Sequence, residues 1–240
     1  MLAVTSEFAP GAEQALYRVS QGRVKQVADI LEFETAVDPA DDGVESNPFD
    51  LARMDGGKTL IADAAGNSLL VADEQGNLDW VAALPQHVDN ADPVATTVAI
   101  GPDGAYYVGE LTGFPATPGR SKIWRIEPGT LHAKCGISPA CTIVGTGFTS
   151  IIGINFGPDG TAYVVELDEA SWLGLEIGVG VCGTVNACEA EGTWSCTVHA
   201  AGLPVPTAVA IDGSSIYVTL YSLEAFGIGP SGDAQVALLP

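Results

Sequence analysis

The sequence predicts an all-β protein, a β-propeller of four-stranded blades. One turn and strand occur twice, as GPDGAYYVG at 101–109 and GPDGTAYVV at 157–165, and each copy is followed by a glutamate. Repetition of such a unit indicates a repeat architecture, and a meander of short strands is the blade of a propeller. The 29 glycines and 15 prolines are spread through the chain at turn-like positions, which favours many short strands.

Alignment on the repeated turns divides the chain into five units of one propeller domain, 1–240. A half blade with its connection comes first, three full blades follow, and a three-stranded blade comes last. The predicted units are 1–46, 47–92, 93–149, 150–204 and 205–240. In the half blade, ALYRVSQGRVKQVADILEF is predicted to be a third strand, a QGR turn and a fourth strand. About four and a half blades are therefore expected.

Each full blade is predicted from four apolar segments separated by turns. The first has NPFDLARM, TLIAD, SLLVAD and LDWVAALP, and the second has VATTVAI, AYYVGE, KIWRIE and CTIVGTGF. The third has SIIGINF, TAYVVE, a third strand near LEIGVGV and CTVHAAGLP, and the last unit has PTAVAI, IYVTLY and AQVALLP. Because a closed propeller commonly completes its last blade with a strand from the opposite terminus, we expect that an N-terminal piece is missing before Met1.

Charge and hydropathy exclude two classes of partner. Thirty acidic residues against nine basic ones give a formal charge of −21, which repels phosphate backbones and anionic lipids. No apolar run approaches the roughly 20 residues that span a bilayer, so membrane insertion is not expected. The start, MLAVTSEFAPGAEQ, has no basic head followed by an apolar stretch, and so it does not read as a signal peptide.

Several segments resemble the ScyD/ScyE family of bacterial proteins. They are SNPFDLARM at 46–54, ADAAGNSLLVAD at 62–73, GPDGAYYVGELTGFP at 101–115 and GFTSIIGINFGPDG at 147–160. The resemblance implies an exported, six-bladed propeller, related in shape to NHL-repeat and gluconolactonase-like proteins, with a signal peptide and further blade strands before Met1. It implies an architecture and assigns no reaction.

Four of the five cysteines bracket short turns. Cys135 and Cys141 flank GISPA, Cys188 and Cys196 flank EAEGTWS, and the second cysteine of each pair opens an equivalent fourth strand. This spacing predicts the disulfides Cys135–Cys141 and Cys188–Cys196. Cys182 is left over, and its distance from Cys188 leaves a pairing of those two open. Disulfides persist in oxidising compartments, so we expect an extracellular or periplasmic protein.

A column of carboxylates ends the second strand in three blades, at Asp63, Glu110 and Glu166. Equivalent positions converge around a propeller's central channel, so these oxygens are candidate ligands for Ca²⁺. Further ligands could come from Asp50, Asn67 and Asp168. The alternatives are that the carboxylates accept backbone N–H bonds or face water, or that they act in acid/base catalysis, for which no histidine lies in the column.

The loop LTGFPATPGRS is long, proline-rich and aromatic, which favours a lid or ligand contact through Thr112, Phe114 and Arg120. A structural role, with Phe114 capping the blade edge, is the alternative. Arg120 could meet an anionic ligand, but a pair with Glu110 is favoured.

The predicted function is an exported binding or accessory protein for an unknown small molecule or protein. No cofactor is certain, and Ca²⁺ in the channel is the candidate. The alternatives are a metal-dependent hydrolase or lactonase of gluconolactonase-like shape, with Asp63, Glu110 and Glu166 near the metal, and a protein-interaction platform. Fold alone does not choose among them.

Overall fold

The computed structural model describes residues 1–5, 14–223 and 233–240. Its strands form five small sheets in chain order, which are the blades of a five-bladed β-propeller. The all-β propeller class is therefore confirmed, whereas the expectation of four and a half blades is wrong. No helix within the described ranges is long and apolar enough to cross a membrane.

The first blade contains one strand more than the predicted half blade. Its strands are β1 (Leu2–Thr5), β2 (Ala15–Ser20) and β3 (Arg23–Asp29), followed by helix α1 (Ile30–Val37). The strand β1 pairs antiparallel with β2, with Leu2 opposite Arg18, so LAVT covers an edge that would otherwise be unpaired. The predicted continuation of the fourth strand through ILEF is wrong, because the Asp29 side chain accepts the Glu32 N–H at 2.8 Å and caps α1.

The second and third blades follow the predicted segments. The second contains β4 (Pro48–Arg53), a 3₁₀ turn (Asp55–Gly57), β5 (Thr59–Asp63), β6 (Ser68–Ala72) and β7 (Leu78–Ala83). The third contains β8 (Ala95–Ile100), β9 (Tyr106–Glu110), β10 (Ser121–Ile126) and, after the short β11 (Ala133–Lys134), β12 (Cys141–Phe148). The strand β11 pairs in parallel with β7, so the third blade covers the outer edge of the second.

The fourth and fifth blades complete the described fold. Their elements are β13 (Ile151–Phe156), β14 (Ala162–Glu166), α2 (Ser171–Glu176), β15 (Gly183–Glu189), β16 (Ser195–Leu203), β17 (Val209–Asp212), β18 (Ser215–Leu220) and β19 (Gln235–Leu238). The predicted third strand near LEIGVGV is wrong: SWLGLE is helical, and Gly178, with φ of 78°, follows the helix end. The strand starts instead at Gly183, where Thr184 pairs with Glu166.

The repeated GPDG turns have the same geometry in both blades. Gly104 and Gly160 have φ of 76° and 86°, a region that glycine adopts without steric cost. The side chains of Asp103 and Asp159 each accept the backbone N–H two residues later, at 3.1 and 3.0 Å. The repetition in the sequence is therefore explained by one local hydrogen-bonding pattern.

The core consists of apolar clusters between successive sheets. Leu16 of the first blade packs in one cluster with Ile61 of the second, and Leu60 of the second in another with Val108 of the third. Tyr107 of the third blade lies in one cluster with Trp194 of the fourth, and Val165 of the fourth lies in one cluster with Val218 of the fifth. Each blade is thus held mainly by its neighbours, as face-to-face packing of sheets requires.

Both predicted disulfides are confirmed. Cys135 is bonded to Cys141, and Cys188 to Cys196, with Cα separations of 5.2 and 4.0 Å. Cys182 is free and partly buried, so the alternative pairing with Cys188 is excluded.

Candidate functional site

The first strands of four blades, β4, β8, β13 and β17, surround a cavity of about 650 Å³. We call it the central cavity, and its lining residues are 49–53, 96–100, 152–155, 207–209 and 222–223. First strands are the innermost strands of propeller blades, so this is where equivalent positions converge. Of the four predicted metal ligands, Asp50 lines the central cavity.

Side-chain hydrogen bonds tie these inner strands to one another. Thr97 Oγ1 donates to Asp50 Oδ2 at 3.0 Å and accepts the N–H of Ile154 at 3.0 Å. Asn155 Nδ2 then donates to the carbonyl of Val209 at 3.3 Å. The bonds run from the second blade to the fifth and fix the spacing of the strands that form the cavity wall.

Asp50 provides a carboxylate in a wall that combines apolar side chains with polar ones, among them Arg53 and Asn155. Its carboxylate also accepts the N–H of Val98 at 3.0 Å and that of Leu51 at 2.8 Å. Burial raises the pKa of Asp50 above its ordinary value, although these hydrogen bonds act in the opposite direction. Phe49 and Ala208 line the same cavity and are exposed. The wall can therefore receive an apolar group and place a hydrogen-bond donor against Asp50.

Asp63 lies at the end of β5 and is fully buried. Its carboxylate accepts Ser46 Oγ–H at 2.7 Å and the N–H groups of Asn47 and Gly66 at 2.6 and 3.2 Å. Burial raises the pKa of Asp63, while these bonds oppose the rise. The carboxylate fixes the connection that enters its own blade.

Glu110 ends β9 and contacts a histidine that the repeat pattern does not predict. Its Oε1 accepts Trp124 Nε1–H at 2.5 Å, and its Oε2 lies 3.0 Å from His87 Nε2. The second contact has the distance of an ion pair but not the alignment of a hydrogen bond. Lys122 Nζ lies 3.3 Å from the other ring nitrogen of His87. His87 belongs to the connection before β8, outside the aligned strands.

Glu166 ends β14 and is also nearly fully buried. It accepts the N–H of Thr149, Thr184 Oγ1–H at 3.1 Å and Asn186 Nδ2–H at 2.5 Å. Burial raises the pKa of Glu166, and the nearby charge of Glu169 adds to the rise. Glu166 also lines a separate pocket of about 280 Å³ with Asn186, Phe148 and Trp194.

The three column carboxylates share one arrangement. Each contacts the connection that precedes the first strand of its own blade, through Ser46, His87 or Thr149. In the part of the chain that the structure describes, no three Asp, Glu, His or Cys side chains come together to hold one metal ion. The assignment of Asp63, Glu110, Glu166 and Asp50 as metal ligands remains a prediction.

The two additional candidate ligands also have protein partners. Asn67 Nδ2 donates to Asp42 at 2.8 Å, and its side-chain oxygen accepts the N–H of Val94 at 3.0 Å. The carboxylate of Asp168 accepts backbone N–H groups from both sides of α2: those of Ala170, Val181 and Cys182.

The loop between β9 and β10 separates its three candidate residues. Thr112 is buried, whereas the side chain of Phe114 is 74% exposed. Arg120 Nη2 lies 3.5 Å from Asp89 Oδ2. The favoured pair of Arg120 with Glu110 is therefore wrong, because Glu110 is buried beside His87 and Arg120 is near the surface. A role for the loop in ligand contact remains a prediction.

Comparison with known proteins supports the fold. No protein-family profile and no curated protein sequence matches the chain. Virginiamycin B lyase from Staphylococcus aureus is 14% identical with a TM-score of 0.55, the match covering 100% of this chain and 68% of the lyase. A gluconolactonase from Xanthomonas campestris is 13% identical with a TM-score of 0.59, covering 95% and 71%. The calcium-binding protein regucalcin from Agrobacterium tumefaciens is 17% identical with a TM-score of 0.52, covering 87% and 61%.

These similarities show that the chain is a β-propeller, and that it spans between 61% and 71% of the length of these three solved structures. The resemblance to ScyD/ScyE proteins is not confirmed by a family or sequence match.

Proposed function

We propose that this chain is a binding or accessory propeller of the ScyD/ScyE type that takes a small molecule into the central cavity. The observation that carries the proposal is a cavity of 650 Å³ with Asp50 in its wall. Sites for small molecules are typically clefts of roughly 300 to 1,000 Å³ with apolar walls and a few polar groups. The volume of the central cavity lies in this range, and its wall offers both apolar side chains and polar groups.

The composition of the wall indicates the ligand class. Phe49, Leu51 and Val209 provide apolar contact surface, and Asp50 provides a hydrogen-bond acceptor. The expected ligand is amphipathic and carries a hydroxyl or ammonium donor that points to Asp50. Ca²⁺ is the candidate cofactor, and the similarity to a calcium-binding propeller supports including it. In the cavity, Asp50 would be its carboxylate ligand.

Export is part of the proposal. The two disulfides each close a short hairpin, and such bonds persist outside the reducing cytosol. Together with the acidic surface, they support an extracellular or periplasmic site of action.

Binding in the central cavity can be tested with Nile red, a neutral dye whose emission rises in apolar surroundings. Wild-type protein is expected to bind the dye saturably. Ala208→Phe fills the cavity wall and is expected to weaken binding roughly tenfold, because overpacking a site costs about 1 to 3 kcal/mol. Ala201→Phe, on the exposed outer strand β16, is the matched control and should bind as wild type does. Equal dye binding by all three proteins would contradict the proposal.

A metal-dependent lactonase is the second candidate. Two observations favour it: the similarity to a gluconolactonase and the pocket that contains Glu166 and Asn186. The test is hydrolysis of glucono-δ-lactone by wild-type protein in CaCl₂ and in EDTA. Turnover that requires Ca²⁺ and is lost in Glu166→Gln would favour the lactonase, and a rate equal to that of buffer would reject it.

A further inference from the structure

Glu34 is a buried carboxyl group that has no hydrogen-bond partner among the described residues. Glu34 lies in α1 and its side chain is fully buried. Neither of its carboxyl oxygens has a hydrogen-bond partner among the residues that the structure describes. A buried polar group without a partner is costly, and a buried charge is more so. Such a group points to a ligand that satisfies it.

The carboxyl groups of Glu34 and Asp63 both lie against Gly66. A Cβ atom built on Gly66 would lie 3.2 Å from Asp63 Cγ and 3.3 Å from Glu34 Cδ. Both carboxyl groups therefore flank a single point, which stays open because residue 66 is glycine. Any larger residue at this position would have to displace one of the two carboxyl groups.

A third buried oxygen without a partner among the described residues belongs to Asn47, whose backbone lies beside Asp63. The backbone N–H of Asn47 donates to Asp63 Oδ1 at 2.6 Å, so Asn47 is held beside the same carboxylate. The side-chain oxygen of Asn47 is buried and accepts no hydrogen bond from the described residues. Glu34 and Asn47 thus contribute three acceptor oxygens that are not matched by donors.

The local charge is not balanced by protein groups. Burial raises the pKa of Glu34 to about 8, and the charges of Asp63, Asp38 and Asp42 add to the rise. The ion pairs formed within the described ranges involve other residues. A cation bound beside both carboxyl groups would stabilise the ionised form of Glu34.

We propose that Glu34, Asp63 and Asn47 form a binding site for a hard divalent cation of the Ca²⁺ type. Two carboxylates and an amide carbonyl are oxygen ligands, which suit Ca²⁺ better than Zn²⁺, and water would complete the coordination. The cation would join α1 of the first blade to the end of β5 in the second. None of the three residues lines the central cavity, so this site does not depend on the proposed small-molecule function.

The test is calorimetric titration of CaCl₂ into the full chain after removal of metal with EDTA. Wild-type protein is expected to bind one Ca²⁺ ion at this site. Glu34→Gln should weaken that binding at least about tenfold, since affinity depends on the charge of the ligands. Glu32→Gln makes the same charge change on the exposed face of α1 and should bind as wild type does. Asn47→Leu, which keeps the backbone N–H to Asp63, is a second variant that should also bind more weakly.

Thermal melts in EDTA distinguish the loss of a metal-binding side chain from destabilisation of the fold. Because Glu34 has no described protein partner, Glu34→Gln should melt in EDTA at or above the wild-type temperature. CaCl₂ should raise the melting midpoint of wild type and of Glu32→Gln more than that of Glu34→Gln. Asp50→Asn should keep this Ca²⁺ site, which distinguishes failure here from failure of the central-cavity proposal. Absence of Ca²⁺ binding by wild type, or equal binding by wild type, Glu34→Gln and Asn47→Leu, would overturn the site.

Discussion

His87 Nε2 lies 3.0 Å from Oε2 of Glu110, and the side chains of both residues are buried. The contact joins the connection before β8 to the end of β9, so it fixes the position of the segment that leads into the third blade. The column itself contains no histidine, as expected, but the fold brings His87 from a connection to Glu110.

Removal of His87 is expected to destabilise the protein. His87→Ala leaves Glu110 Oε2 buried without its partner, which should lower the free energy of unfolding by about 1 to 3 kcal/mol in urea denaturation. His132→Ala is the matched control, because His132 lies 2.6 Å from Asp79 but its side chain is 57% exposed. That variant should lose less than about 1 kcal/mol. Equal losses of unfolding free energy in the two variants would show that the buried His87–Glu110 contact stabilises the protein no more than the exposed His132–Asp79 contact does.

Glu34 predicts a pH dependence of stability in EDTA. The ordinary pKa of its carboxyl group is 4.5, and burial raises it to about 8 in the folded protein. Between these values the unfolded chain has released the proton that the folded chain retains, so stability falls as pH rises. Relative to Glu34→Gln, wild type should therefore melt at progressively lower temperature from about pH 5 to pH 8. A constant difference across this range would contradict the raised pKa.

The hairpin disulfide between β15 and β16 predicts a defined loss of stability. The double variant Cys188→Ala and Cys196→Ala should lose about 2 to 3 kcal/mol, as expected when a short loop is no longer closed in the unfolded chain. Cys182→Ser changes a cysteine that is free and should differ little from wild type in the same denaturation experiment. A large loss in Cys182→Ser would indicate that this thiol has a structural role.

The hydroxyl of Thr97 is expected to support the cavity wall. Thr97→Val keeps the shape but removes the bond to Asp50 and the acceptor for the Ile154 N–H, which should cost about 1 to 3 kcal/mol in denaturant unfolding. Thr142→Val, on an exposed position of β12, should change stability by less than about 0.5 kcal/mol. Equal stability of Thr97→Val and Thr142→Val would mean that the hydrogen bonds of Thr97 contribute nothing measurable to the free energy of unfolding.

Much of the fold was predictable because its signals are local. The turns at Gly104 and Gly160 and the apolar runs of the flanking strands are set by residues close in sequence, and so are the two disulfide hairpins. The extra strand β1 was not predictable from its four residues, since its pairing with β2 depends on an edge elsewhere in the chain. Helix α2 was missed because the apolar pattern of SWLGLEIGVGV suits a strand as well as a helix.

The site was less predictable than the fold. Alignment of the repeats located the buried carboxylates Asp63, Glu110 and Glu166. It could not show that each carboxylate contacts the connection that enters its own blade. His87 and Glu34 lie in a connection and a helix, outside the repeated strands, so no alignment of repeats places them beside Glu110 and Asp63. Contacts of this kind depend on how connections fold back between blades.

Binding of a small molecule among the inner strands can be located by NMR of the backbone amides during titration with Nile red. We expect the largest chemical-shift changes at Leu51, Val98 and Ile154, on the strands that line the central cavity, and smaller changes in Ala208→Phe. Shifts confined to exposed outer strands such as β16, and unchanged in that variant, would contradict this expectation.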